Sequence, residues 1–184
     1  MTALIIIAVV AIIIALLYNS LIGKKNQVDN IFGGIDAVLK KRYDLIPNLV
    51  SSVQQYMQHE KGILEKVTEL RAQAIKPNIP DEKKIALDKE ITGALGSIMV
   101  AVENYPELKA NENVMHLQHT LTEIEAQISA ARRAYNQAVT DYNNAIEMIP
   151  TNILANMMHY TRKQVFEISE TQRQNVNVKE LFKQ

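Results

Sequence analysis

Histidine and glutamate side chains occur at two places in the chain where a metal site would need them, but the required spacing is incomplete. His59-Glu60 resembles the start of the zinc motif His-Glu-x-x-His, but Ile stands where the second histidine is required. His116 and His119 lie three residues apart on a predicted helix, and Glu112 is a candidate third ligand. A zinc site needs three or four placed ligands. We therefore expect surface or hydrogen-bonded histidines, no metal, no cofactor and no catalytic residue. A metal-dependent enzyme using these three residues is the alternative.

Charge and composition exclude further classes of protein. The chain of 184 residues carries 20 basic and 20 acidic side chains, so it lacks the basic face of a nucleic-acid-binding protein. It has no Cys, and it contains neither a Gly-rich phosphate loop nor a Gly-x-Ser-x-Gly elbow. Few glycines, prolines and aromatic residues favour long helices over sheets. These features predict an all-α protein without a nucleic-acid partner and without catalytic activity.

Two charged residues interrupt an otherwise apolar stripe near the start of the chain. Arg42 and Glu60 occupy stripe positions about 27 Å apart along a helix, so they cannot pair with each other. A lone buried charge is costly, and each residue therefore needs a partner elsewhere. We expect Glu60 to form a buried ion pair with Arg132 or Arg133, which would fix the helix register. The alternative is that both charges face another subunit.

A polar group surrounds Pro47 in the same predicted helix. Pro47 has no N–H to donate to the carbonyl of Tyr43, and we expect a kink there. Asn48 or a basic side chain would satisfy this carbonyl, and Asp44 would pair with a neighbouring basic residue. The interpretation that we favour is a kink held by polar contacts, and the functional alternative is a docking or hinge site.

Tyrosine-asparagine pairs recur seven residues apart on a later predicted helix. Tyr135-Asn136 and Tyr142-Asn143 therefore lie on one face of that helix. Asparagine at matched positions can hydrogen-bond across a helix interface and specify its register. We favour this structural role, and the alternative is a polar groove for a peptide or a partner helix.

The elements that position these residues are long helices with a seven-residue repeat. Such a strict period is typical of helices that pack as a coiled-coil-like seam. Helices are predicted over about residues 25–76, 81–105, 114–149 and 150–169, with Asp81 as the cap of the second. Short connections then favour an antiparallel bundle of about four helices. The first stripe consists of Val28, Phe32, Ile35, Leu39, Ile46, Leu49, Val53, Ile63, Val67 and Leu70, and the third helix repeats the pattern from Val114.

An uncharged stretch precedes the bundle. Residues 1–23 contain no charged side chain, and a helix from Ala3 to Ile22 spans about 30 Å, enough to cross a hydrocarbon core. Lys24 and Lys25 follow, so the positive-inside rule predicts an outside N-terminus and a cytoplasmic bundle. The expected division is an anchor at 1–23, a helical domain at 24–169 and a polar tail at 170–184.

The residues that make up these elements resemble the LemA family of bacterial proteins. The resemblance implies a single N-terminal membrane helix, here in the inner membrane, followed by an antiparallel helical bundle, and it implies no established activity. Phe32 stands where the family often has Trp, and His159-Tyr160 stands where it usually has Gly-Phe. The stretches that carry the resemblance are Tyr18 to Leu21, Ile35 to Val50, Tyr56 to Glu60, Glu103 to Asn111, Leu117-Gln118 and Ala131 to Asn143.

The sequence therefore predicts a membrane-anchored, self-associating helical scaffold or adaptor. Its expected partners are the lipid bilayer, further copies of the chain and another membrane protein, such as an envelope protease suggested by the family context. Because the first predicted helix is longer than the second, the stripe from Val28 to Val53 is expected to pack against the third helix or against another subunit. A membrane-shaping coat is the alternative function.

Overall fold

The computed structural model describes residues 1–166, and within this range the chain is helical except for its connections and its end. The all-α class and the long-helix bundle predicted from the sequence are confirmed. The predicted tail at 170–184 lies outside the described residues. The helices are α1 (Thr2–Val53), α2 (Lys61–Ala74), α3 (Asp81–Val102), α4 (Pro106–Lys109), α5 (Glu112–Glu147) and α6 (Thr151–Met157), and a 3-10 turn covers Gln58–Glu60.

The two longest helices, α1 and α5, form an antiparallel pair along most of the bundle. The Phe32 and Tyr135 rings lie 5.5 Å apart, and Arg42 lies 2.8 Å from Glu125, so residue numbers rise along α1 as they fall along α5. The apolar heptad rows of both helices face this seam and are buried. The stripe from Val28 to Val53 is therefore covered within the chain, chiefly by α5, and it is not left open for another subunit.

The other two long helices complete an up-down-up-down arrangement. Lys84 of α3 pairs with Asp36 at 2.8 Å, and Thr92 meets Arg42 further along, so α3 runs parallel to α1. α2 joins α1 to α3 and packs against both. The predicted stripe on α3, from Ile91 to Val102, is buried. Pro80 occupies the cap position of α3, and Asp81 is its first helical residue, so the predicted Asp81 cap is wrong by one position.

The first predicted helix is broken, and the break lies beyond Pro47. α1 continues through Pro47 to Val53, and α2 begins at Lys61 after the 3-10 turn. The carbonyl of Tyr43, which Pro47 leaves without a helical donor, accepts a hydrogen bond of 2.8 Å from Nε of Arg71 on α2. The prediction of one helix to residue 76 was wrong because a heptad repeat reads the same in a helical hairpin as in one long helix.

The fourth predicted helix is also shorter than expected. α6 ends at Met157 because His159 adopts a left-handed conformation, with φ of 53°. The Tyr160 N–H donates to the carbonyl of Ala155 at 3.0 Å, as in a Schellman helix stop, where glycine is the usual left-handed residue. A glycine at this position would provide the same stop signal. Met158 and His159 form a turn, and residues 160–166 form no regular secondary structure, so the predicted helix to about residue 169 is wrong within the described residues.

The N-terminal part of α1, from Thr2 to Ser20, stands apart from the bundle. Its side chains are exposed as far as Ser20 except Leu17, and the first buried one is Leu21. This part of α1 is long and apolar enough to cross a membrane, and almost none of it is buried. An apolar N-terminal helix of this kind suggests a membrane anchor.

Candidate functional site

Four charged side chains from three helices meet in the middle of the bundle and form a charge cluster (Arg42, Asp88, Glu125 and Arg132). Arg42 and Asp88 are each 1% exposed and form an ion pair. Arg42 also donates to Glu125 at 2.8 Å and to Thr92 at 2.9 Å. Arg132 pairs with Asp88 and lies 3.4 Å from Glu125. The cluster therefore ties α1, α3 and α5 together.

The charge cluster is suited to holding α1, α3 and α5 in one relative position. Two arginines balance two carboxylates, and each carboxylate is held by both guanidinium groups. Such a pair gains little net stability over an apolar core, but removing one partner leaves an unpaired buried charge. The polar contacts also fit only one relative position of the three helices. We infer that the cluster helps to fix the bundle's register.

The partner predicted for Glu60 is wrong. Arg132 pairs within the charge cluster, and Arg133 donates to the Ser129 hydroxyl at 3.0 Å. Glu60 is half-buried in the break between α1 and α2. Glu60 lies away from the charge cluster because the helix breaks before it, so Glu60 does not continue the α1 stripe that carries Arg42.

Asp88, the centre of the charge cluster, was not predicted from the sequence. A signal was present, because Asp88 lies three residues before Ile91 and seven before Leu95, the first members of the α3 stripe. Extending that stripe by one turn would have placed a carboxylate in the core. Burial, with the charge of Asp88 as the next cause, also raises the pKa of the adjoining Tyr43 to about 12.

The remaining predicted residues around Pro47 do not form a site with the cluster. Asp44 pairs with Lys40 at 2.7 Å on the exposed face of α1. Asn48 is exposed, and its backbone carbonyl accepts from Ser52. His59 is exposed in the 3-10 turn.

The repeated asparagines of α5 form an asparagine clasp (Asn136, Tyr142 and Asn143) around the C-terminal segment (residues 158–166). The Asn143 amide donates to the Lys163 carbonyl and accepts from the Lys163 N–H, both at 3.0 Å. Asn136 makes the same pair of bonds to Phe166, at 2.9 and 2.8 Å. The Tyr142 hydroxyl donates to the Thr161 carbonyl at 3.1 Å. The clasp thus holds main-chain atoms of an extended segment.

The spacing of the asparagine clasp matches an extended chain. Seven residues of α-helix advance about 10.5 Å, and three residues of extended chain advance about 10 Å. Asn136 and Asn143 can therefore each meet a peptide unit three residues apart, here at Phe166 and Lys163. An asparagine amide suits this contact because it offers one donor group and one acceptor, the complement of a peptide N–H and C=O. The predicted cross-helix bond is replaced by a contact with extended backbone.

Side chains around the asparagine clasp contact the Lys163 and Phe166 side chains of the C-terminal segment. The Phe166 ring is buried and packs edge-on against Tyr135 at 5.2 Å, and the guanidinium of Arg132 lies 5.8 Å above it. Lys163 forms an ion pair with Asp29 of α1. Burial raises the pKa of Tyr135 to about 12. The segment is thus held by a basic residue followed three positions later by an aromatic one.

The histidines do not come together in a metal site. His119 lies 3.7 Å from Glu123 on the exposed face of α5, and the His116 carbonyl accepts from Thr120. Residues 1–166 contain no group of three or more His, Asp or Glu side chains placed to hold a metal ion.

Comparison with known proteins places this fold in a family. The family model for LemA proteins matches residues 31–179, which includes both the charge cluster and the asparagine clasp. The chain belongs to the LemA family. LemA proteins are not a known enzyme family.

Named relatives match over most of the chain. Protein LemA of Metamycoplasma hominis is 26% identical over 163 residues, covering 89% of this chain and 74% of the relative. Magnetosome protein MamQ 2 of Paramagnetospirillum magneticum is 24% identical and covers 88% of this chain and 70% of its own length. Magnetosome protein MamQ of Magnetospirillum gryphiswaldense is 22% identical, with coverage of 90% and 71%. The similarity thus covers most of this chain.

Proposed function

We propose that this LemA-family chain is a membrane-anchored, self-associating helical scaffold or adaptor without catalytic activity. The observation that carries the proposal is the continuity of α1. One helix of 52 residues begins in an exposed apolar stretch and ends in the bundle core, with Pro47 accommodated inside it. A bundle joined to its anchor in this way stands at a fixed height on the bilayer and presents its sides to neighbouring proteins.

A second apolar surface supports direct contact between the bundle and the bilayer. Ile149 and Met157 are 82% and 73% exposed, and Met148 and Ile153 are also exposed. This surface lies at the membrane end of the bundle, because Lys25 of α1 lies 5.7 Å from the ring of Tyr160, just after α6. Short apolar surfaces flanked by lysines enter the interface between headgroups and acyl chains. In this proposal α6 and the end of α5 rest on the bilayer, with the bundle on the cytoplasmic side of the inner membrane.

The opposite end of the bundle offers a place for a partner protein. A groove of about 840 Å³ lies between the end of α1 and α2, and apolar side chains of Val50, Met57 and Leu64 line it. An apolar groove of this size is typical of sites that accept a helix or a peptide. This surface gives the adaptor part of the proposal a concrete location, far from the lipid, and an envelope protease is one class of partner for it.

The proposal is tested by the mass of the full-length protein in detergent and in lipid nanodiscs. We expect a defined oligomer whose population rises with protein concentration. A monodisperse monomer in both media, over the whole accessible concentration range, would contradict self-association. Regular arrays on vesicles would favour the alternative of a membrane-shaping coat.

A further inference from the structure

The asparagine clasp is a peptide-binding site built on the surface of a helix, and its occupant here is the chain's own C-terminal segment. We propose that the clasp also binds this segment from a second copy of the chain, so that neighbouring anchored copies exchange residues 158–166. The inference rests on the proposed self-association and names the surfaces that carry it. The attached segment shows how the occupant would bind, since Thr161, Lys163 and Phe166 make the same contacts in either case.

Because the clasp binds backbone atoms, exchanging the segment between copies replaces each hydrogen bond with an identical one. Four of the hydrogen bonds run between the two asparagine amides and main-chain atoms of Lys163 and Phe166, and a fifth runs from Tyr142 to the Thr161 carbonyl. Every one of these bonds re-forms when an identical segment arrives from another molecule. Exchange of an identical element between protomers is a low-cost route to a dimer for this reason.

Side-chain complementarity gives the site its preference for this sequence. Lys163 meets the carboxylate of Asp29, and the ring of Phe166 enters the aromatic pocket beside Tyr135. The ligand class is therefore an extended peptide with a basic residue followed three positions later by an aromatic residue. A second copy supplies this pattern by definition.

The position of the clasp favours a partner anchored in the same membrane. Asp29 lies six residues after Gly23, the end of the uncharged stretch, which corresponds to about 9 Å along α1. Groove and segment therefore stand at the same height above the lipid in every copy. Confinement to one plane raises the effective concentration of the neighbour's segment, which must compete with the attached one.

The attached segment is held in a way that permits release. Between Met158 and Phe166 only Phe166 is buried, and the segment forms no helix or strand. A cavity of about 280 Å³ lies between Val165, Phe166 and α3. The turn at Met158 and His159 separates the segment from α6, which packs against α1 and α5.

Complementation between two full-length variants tests the exchange. One copy keeps its groove but loses its segment through Lys163→Pro and Phe166→Ala. The other keeps its segment but loses its groove through Asn136→Ala and Asn143→Ala. The copies carry different tags and are mixed in nanodiscs or detergent after their helicity has been checked. We expect at least about fivefold more co-purification in this mixture than for either variant with itself. A matched control replaces the groove-deficient copy with one that carries all four substitutions, and co-purification should fall to background.

Two results would overturn the exchange in distinguishable ways. Equal association of all mixtures would show that the copies associate through another surface, and the proposed scaffold would stand. No association in any mixture, or in the wild type, would remove the proposed self-association as well.

A labelled peptide provides a second measurement that does not depend on dimer formation. The peptide carries residues 158–166 and is added to the segment-deficient copy. We expect saturable binding, weakened at least about tenfold when the peptide nitrogens of Lys163 and Phe166 are methylated, because the donors to the clasp are lost. Absence of binding to a folded segment-deficient copy would show that the clasp holds its own chain alone.

Discussion

The charge cluster and the asparagine clasp both place polar groups from α5 inside the bundle, but they hold different kinds of partner. The cluster joins side chains of α1, α3 and α5, and Arg42 and Asp88 within it are almost fully buried. The clasp joins neutral amides to the main chain of a segment that is mostly exposed. Opening the cluster requires separating helices and exposing unpaired charges, whereas the clasp can open while the bundle stays intact. One site therefore specifies the fold, and the other holds an exchangeable element.

The largest expected effect is at the charge cluster. Asp88→Asn removes the fully buried carboxylate of the cluster and leaves two arginines with one carboxylate, Glu125, so that buried positive charge is left in excess. We expect the free energy of unfolding to fall by about 3–5 kcal/mol. Chemical denaturation of the full-length protein in detergent measures this change. Asp44→Asn is the matched control, because its exposed pair with Lys40 contributes about 0.5 kcal/mol or less. Equal effects of the two substitutions would contradict the account of the cluster.

The contact between Arg71 and the Tyr43 carbonyl should have the next largest effect. Arg71→Met keeps much of the side-chain volume but removes the donor to the carbonyl that Pro47 leaves open. We expect a loss of about 1.5–3 kcal/mol in the free energy of unfolding, as for hydrogen bonds from charged groups. The double variant with Pro47→Ala restores the helical donor and should recover most of this loss. No recovery in the double variant would show that Arg71 acts through other contacts.

The asparagine clasp should give a local effect. Asn143→Ala removes two hydrogen bonds to Lys163, which corresponds to about 1–2 kcal/mol of local stability. Tryptic cleavage after Arg162 and Lys163 should accelerate about tenfold, while the denaturation midpoint of the bundle changes little. Asn144→Ala, at the exposed neighbouring position, is the control and should leave the cleavage rate as in the wild type. A large fall in bundle stability in Asn143→Ala would erase the distinction between the two sites.

The smallest effect concerns the tyrosines beside the two sites at alkaline pH. Tyrosine titrates near 10 in an unfolded chain, and the pKa of Tyr43 is raised to about 12 by burial and by the charge of Asp88. Between pH 10 and 12 the folded chain therefore keeps a proton that the unfolded chain releases, so the free energy of unfolding falls as pH rises. Tyr43→Phe should flatten this fall, and Tyr135→Phe should do the same beside the clasp. Unfolding measured from pH 9 to 12 checks the slopes, and an unchanged slope in Tyr43→Phe would contradict the assignment.

The sequence predicts the packing interface between α1 and α5 more fully than it predicts the charge cluster and the asparagine clasp. The heptad rows of α1 and α5 identify the buried face because side-chain periodicity is a local property of the chain. Arg42 stands out because it interrupts such a row, and Glu125 was among the acids available to it. The break at residues 54–60 was not predictable from the heptad repeat, because α1 and α2 both continue that repeat.

The asparagine clasp shows a second limit of sequence reasoning. Asn136 and Asn143 were recognisable as a repeated polar pair, and a peptide groove was the alternative interpretation. Their partners are backbone atoms of Lys163 and Phe166, which every residue possesses, so side-chain types do not reveal them. The helix stop at His159, which produces the extended segment, rests on a left-handed conformation that histidine adopts less often than glycine.

Amide hydrogen exchange on the full-length protein in nanodiscs is the most direct test of the difference between the two sites. The N–H groups of Lys163 and Phe166 should exchange through a local opening, with an opening free energy well below that of α5 amides around Glu125. Asp88→Asn should lower protection around Glu125 and leave the opening at Lys163 nearly unchanged. If the amides at Lys163 and Phe166 share the protection of α5 and respond equally to Asp88→Asn, the clasp is part of the same cooperative core and is not an exchangeable element.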